Sequence, residues 1–167
     1  AHLEKSIELY GRNGEDWGIA SSAIPLAQVL NALGRQSEAL PYAMKAVDFY
    51  RAVDHVWFGS ASLELALAQF GLGQLDEARG NFQNAIDTGR TTGDWYGAGL
   101  ASNGLGLAQI DAGDLAAARQ TLSDALHFWK HHRMSEGVAS TVGLVALYSC
   151  ATRDYDQSAF LLGAAQA

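Results

Sequence analysis

Cysteine and proline are nearly missing from this chain: one thiol, Cys150, and two prolines, Pro25 and Pro41, stand in 167 residues. A lone cysteine excludes an internal disulfide and fits a reducing compartment. So few prolines leave long stretches free of the residue that most strongly interrupts helices. Positive charge is also short, with 11 Lys and Arg against 18 Asp and Glu and a net charge of -7. That balance argues against phosphate backbones and anionic membrane surfaces as direct partners, so neither nucleic-acid nor membrane binding is expected. There is no signal peptide and no long uninterrupted apolar run, which reads as a soluble, cytoplasmic protein.

Catalytic motifs are missing as well. No Walker sequence, nucleophile elbow or His-Glu-x-x-His occurs, and no carboxylates are convincingly paired in a pocket. Asp76 and Glu77 fall on the exposed start of a helix, where they are ordinary solvated charges. The expectation is a non-enzyme with no catalytic residue, no metal and no cofactor.

What the chain does have is a period. Leu26-Ala27, Leu65-Ala66, Leu105-Gly106 and Val145-Ala146 follow at intervals of 39, 40 and 40. Ala39, Ala78, Ala118 and Ser158 keep the same phase, as do Ala46, Ala85, Ala125 and Ala165. Gly34, Gly73 and Gly113 lie between the first two columns, and Arg153 replaces glycine in the fourth copy. A period of this size means a stack of units that bury their apolar faces only against one another. Hydrophobic residues make up 49% of the chain, much of it Ala and Leu, which favours helix.

The third copy shows how one unit is built. Asp94 precedes a stretch whose apolar residues recur at helical spacing on two stripes, Leu100, Leu107 and Ile110 on one and Ala98, Ala101, Leu105 and Ala108 on the other. Asp94 is placed to cap that helix, Gly113 to end it, and Asp114 to cap a second helix from Leu115 to about Lys130. The small columns mark the closest crossing of each antiparallel pair, so Ala27 should meet Ala39, Ala66 meet Ala78, and Gly106 meet Ala118. Phe82, Leu122 and Leu162 fill the space beyond the crossing; the first copy has Ala43 there, compensated by Tyr42 or Met44. Pro25 lies inside a first helix and predicts a kink or bulge between Ser21 and Pro25.

The fold class expected is all-α, an α-α superhelix (solenoid) of helix-turn-helix repeats of about 40 residues. The boundaries are 1–13 for the second helix of an upstream repeat, then 14–53, 54–92, 93–134 and a truncated 135–167. Starting and stopping inside repeats, without polar capping helices, the chain reads as part of a longer protein. Its apolar ends, with Leu3, Ile7, Leu9 and Tyr10 at one and Tyr155, Phe160, Leu161 and Leu162 at the other, are candidates for self-association.

Leu105-Gly106, Gly113-Asp114, Ala118, Leu122 and Ala125 resemble the spaced pattern of the tetratricopeptide (TPR) repeat. The family's early Trp is replaced by Ala23, Ser62, Ser102 and Val142, and its closing Pro is absent. The openings Asp16-Trp17-Gly18-Ile19-Ala20 and Gly93-Asp94-Trp95-Tyr96-Gly97, with the closing Phe160-Leu161-Leu162-Gly163-Ala164-Ala165, are similar to the repeat regions of large ATP-binding LuxR-type bacterial regulators, a group that includes the maltose-regulon activator. The TPR resemblance implies that first helices line a concave groove. Its ligand-facing positions would be Ile24, Gln28 and Asn31, then Leu63, Leu67 and Phe70, then Leu100, Asn103, Leu107 and Ile110, then Leu147. Ser21, Ser60, Ser140, Gly143 and Cys150 share those columns. Such a mostly apolar surface with a few amides suits a protein, peptide or small effector, and lacks the basic clamp of carboxylate-tail binders.

Three features have a sharper and a plainer reading. His127 and His131 are one helical turn apart but have no third metal ligand nearby, so the helix-end role of a cation is preferred. Trp17, Trp57 and Trp95 recur with the period and read as core aromatics at unit junctions rather than a ligand cage. Cys150, beside Leu147 and Ala151, reads as a small buried hydrophobe. The expected function is a binding or sensor module of a bacterial transcriptional regulator; the alternative is a structural scaffold or self-association segment of a larger protein.

Overall fold

A computed structural model describes residues 2–154 and 156–157. Every element among them is a helix: α1 (His2–Asn13), α2 (Asp16–Ala32), α3 (Gln36–Ala52), α4 (Phe58–Gly71), α5 (Leu75–Thr92), α6 (Trp95–Asp111), α7 (Leu115–His131) and α8 (Ser135–Ala151). The chain divides into two compact units at Gly97 and Ala98.

A residue in the left-handed conformation stands at each joint between the helices. Glycines 14, 34, 73, 93 and 113 have φ between 71° and 81°, where a side chain would crowd the following carbonyl. At most of these joints the residue after the turn donates its amide five residues back, as in Glu15 to Tyr10, Arg35 to Leu30, Gln74 to Gln69, Asp114 to Gln109 and Asp154 to Ser149, at 2.8–3.0 Å. This bond satisfies a carbonyl that the helix end would leave unpaired. Three turns keep the conformation without glycine: Asp54, Arg133 and Arg153 sit at φ 49°, 56° and 66°. Two first turns carry the aspartate cap the sequence announces. Gly97 donates its amide to Asp94 Oδ1 at 2.9 Å, and Ala117 to Asp114 Oδ1 at 3.3 Å.

In the first unit α2 packs on α1, α3 and α4, and α4 also packs on α3 and α5. Its core is a ribbon of small side chains, with Ala20, Ala23, Ala27, Ala39, Ala43, Ala46, Ala61 and Ala68 almost fully buried beside Leu26, Leu30, Val47, Tyr50 and Leu65. Alanine lets helix axes approach closely, so backbone as well as side chain contributes to the contact. Where the column holds Ala43, it is Tyr42 that packs against this core, whereas Met44 is 48% exposed.

In the second unit α7 packs on α8. Ala118, Leu122, Ala125, Trp129 and Ala146 are buried there, and Trp129 lies against Gly99 and Gly137 so closely that a Cβ at either would overlap the indole. Leu122 packs over Gly106. A Cβ at Gly106 would meet the Leu122 side chain, which occupies the room that the glycine vacates.

Helix α2 continues through Pro25 without a break in its helical run. The proline removes one amide bond, but Ser22, Leu26, Ala27 and Leu30 are buried on either side of it and hold both halves in one packing register. Cys150 on α8 is exposed, not buried as the sequence suggests, and Leu147 one turn before it is 43% exposed. The residues Tyr155, Ser158, Phe160, Leu161, Leu162 and Ala165 named from the sequence lie outside the described residues.

Candidate functional site

The groove candidates fall into an open group and a buried group. In the first unit Gln28 is exposed, Ile24, Asn31, Leu67 and Phe70 are half-buried, and Leu63 is buried at 8% exposure. On α2 the positions 24, 28 and 31 share one face, as 63, 67 and 70 do on α4, because residues three and four apart are helical neighbours. In the second unit Leu100 and Leu147 are exposed, Leu107 and Ile110 half-buried, and Asn103 buried at 6% exposure.

Polar side chains fasten first helices to each other, which sequence reading missed. Asn31 on α2 donates through Nδ2 to the Glu64 carbonyl at 2.9 Å and to Glu64 Oε2 at 3.0 Å. Glu64 on α4 is only 5% exposed, and burial pushes its carboxyl above the ordinary range, opposed in part by the Asn31 amide. In the second unit the buried Thr141 hydroxyl donates to Asn103 Oδ1 at 2.7 Å, and Asn103 Nδ2 donates to Ser140 Oγ at 3.3 Å. These bonds satisfy polar groups that would otherwise be costly to bury. Asn103 therefore belongs to the joint between α6 and α8 as much as to the face beside it.

The tryptophans are less buried than expected of core aromatics. Trp17, Trp57 and Trp95 are 47%, 42% and 37% exposed. They do stand at the openings of first helices, and Trp17 stacks on Trp57 with centroids 5.7 Å apart, edge-on to His55 at 4.9 Å and Tyr50 at 5.7 Å. Hence α2 and α4 are joined by rings at their openings and by Asn31–Glu64 further along. His127 Nδ1 lies 2.8 Å from the Ser123 carbonyl one turn back, an arrangement that uses the ring locally.

Cavities open away from the groove candidates. One of about 250 Å³ lies where α3 ends and α4 begins, lined by Tyr50, Arg51, His55 and Phe58 with Thr88, Thr91 and Thr92 of α5. Another, of about 400 Å³, lies between α7 and α8 around Leu122, Leu126, Val145 and Tyr148. Among the described residues no helix is long and apolar enough to cross a membrane, and no cluster of His, Cys, Asp and Glu could hold a metal ion.

Known proteins relate to this chain through its fold. The tetratricopeptide repeat family model matches residues 59–80 and 100–123, which cover α4 into α5 and α6 into α7. No curated protein matches the sequence. Among solved structures, the chain superposes on a Rap protein complexed with competence and sporulation factor with a TM-score of 0.76 and 16% identity, over 87% of this chain. It spans 41% of the length of that Rap chain. Nearly identical TPR-like repeats from a Podosopora anserina protein assigned as a kinesin light chain superpose with TM-scores of 0.73 and 0.69 at 18% identity, over 99% of this chain and 93% of those. With all described elements helical and paired through recurring turns, the chain is an all-α array of TPR-like repeats.

Proposed function

We propose that the chain is a non-catalytic binding module whose first-helix faces take a protein or peptide partner, or a small effector, within a bacterial transcriptional regulator. The observation that carries the binding reading is the open part of the first-unit face. Ile24, Gln28, Leu67 and Phe70 keep apolar surface and an amide partly in water, although the helices beneath are packed on alanine. Apolar surface with a few amides is the composition that peptide grooves use. The Rap protein of similar fold, complexed with competence and sporulation factor, is support by analogy of fold. The regulator setting rests on the resemblance of the openings at Asp16-Trp17 and Asp94-Trp95.

Two measurements test these parts separately. A thermal-shift screen against peptide and metabolite libraries should find a ligand, and at a hundredfold excess over Kd that ligand adds about 2.7 kcal/mol to stability. A screen without a hit, repeated by peptide display without enrichment, would overturn the binding reading. Flanking sequence of the parent gene should encode a nucleotide-binding motif upstream and a helix-turn-helix downstream; a parent without them removes the regulator setting.

A further inference from the structure

The chemistry of an occupant of the first-unit face can be read from one pair of side chains, and this inference rests on the binding reading above. Helix α4 carries a single ionisable side chain, Glu64, in an otherwise uncharged run from Phe58 to Gly71. It is 5% exposed, and no cationic side chain of the described residues reaches salt-bridge distance. A buried carboxylate without a counter-charge is unfavourable, because the attraction that would repay its lost hydration is missing.

Hydrogen-bond bookkeeping points the same way. Asn31 spends its Nδ2 group on Glu64, on the backbone carbonyl and on Oε2. Its own Oδ1 is buried with no partner among the described residues. A carboxylate accepts about four hydrogen bonds and an amide oxygen two, so this pair has acceptors in excess and its one local donor group already used. A ligand group bringing both N–H donors and positive charge would correct both deficits. Asn31, half-buried, is the more open of the two and gives the side of approach, with Gln28 one turn away on the same face of α2. Ile24, Leu63 and Leu67 supply the apolar wall that the methylene stem of a long basic side chain prefers.

We propose that Asn31 and Glu64 form a receiving site for an arginine or lysine side chain of a peptide lying on the α2 and α4 face. The net charge of -7 favours the approach of a basic peptide. The guanidinium of arginine, with five donors in a planar fork, can serve a carboxylate and a neighbouring amide oxygen together.

The test is an amide NMR titration of the full chain with three probes: an end-capped alanine pentapeptide with a central arginine, the same peptide with a central glutamine, and n-butylammonium chloride. The arginine peptide should shift the Asn31 side-chain amide and the backbone of α4, and bind at least tenfold tighter than either other probe. Glu64→Gln keeps the shape and an acceptor for Asn31, and should erase the preference; its circular dichroism melt establishes that the variant is folded. Equal binding of the arginine and glutamine peptides would leave the binding face standing and overturn the cation site. Equal binding of butylammonium and the arginine peptide overturns the peptide as occupant. Absence of any shift at Asn31, or a preference that survives in folded Glu64→Gln, overturns the assignment outright.

Discussion

Single residues depart from the repeat pattern in ways that stability can register. Arg133 and Arg153 hold the left-handed turn conformation that glycine holds at 34, 73 and 113. A side chain there costs about 1 kcal/mol, since its Cβ crowds the adjacent carbonyl. Arg133→Gly and Arg153→Gly should each raise the melting temperature by about 2–4 °C, the shift that 1 kcal/mol gives in a protein of this size. An unchanged or lower melting point would mean that both arginines make compensating contacts. Glu64 should act in the opposite sense to a paired carboxylate. Its native carboxyl binds a proton more tightly than the unfolded one, because burial raises its pKa. Stability therefore declines as pH rises from the ordinary carboxylate range, about 4.3, through the raised native value, and the penalty persists above it. Glu64→Gln should flatten that decline and stabilise the fold at pH 7 by roughly 1 kcal/mol; a destabilised variant with the same pH profile would refute it. The sequence held a signal for this residue, one charge in an apolar helix, but its partner Asn31 lies 33 positions away.

Helices and their joints were the most legible scale. Turns are local, so a glycine in constant phase and an aspartate immediately before a tryptophan-tyrosine or leucine-alanine start place helix ends without knowledge of the rest. Contacts across helices were less so. The small columns fall at buried positions, as at Ala27, Ala39, Ala66, Ala78 and Ala118, but that Leu122 covers Gly106 had no signal in their spacing. The pairing of Thr141 with Asn103 had no sequence signal, since the two are 38 residues apart and each is unremarkable alone. Ala118 remains fully buried on α7, and Ala118→Leu should cost roughly 1–3 kcal/mol by overpacking. Melting within error of the parent would show that α7 has slack at this point.

Over the whole molecule, packing should set the order in which helices open. In an array, each element is held by its immediate neighbours rather than by a shared centre. Within the first unit α4 packs on α2, α3 and α5, whereas α1 packs on α2. Amide hydrogen exchange should accordingly be slowest in α4 and markedly faster in α1. Uniform protection across both helices would mean that the unit opens as one block.

An interior built from alanine also constrains what mutation can do to it. Ala23, Ala27, Ala39, Ala43, Ala46, Ala61, Ala66, Ala68 and Ala78 are all sealed from water, and each already carries nearly the smallest side chain available. The ordinary route of damage in a protein interior, trimming a large group and leaving a void, is closed at these sites. Almost every codon change there adds volume between backbones that have no room to yield. Genetic drift in such a protein is therefore filtered by steric intolerance rather than by loss of contact, and surviving variation should collect in the residues that face outward.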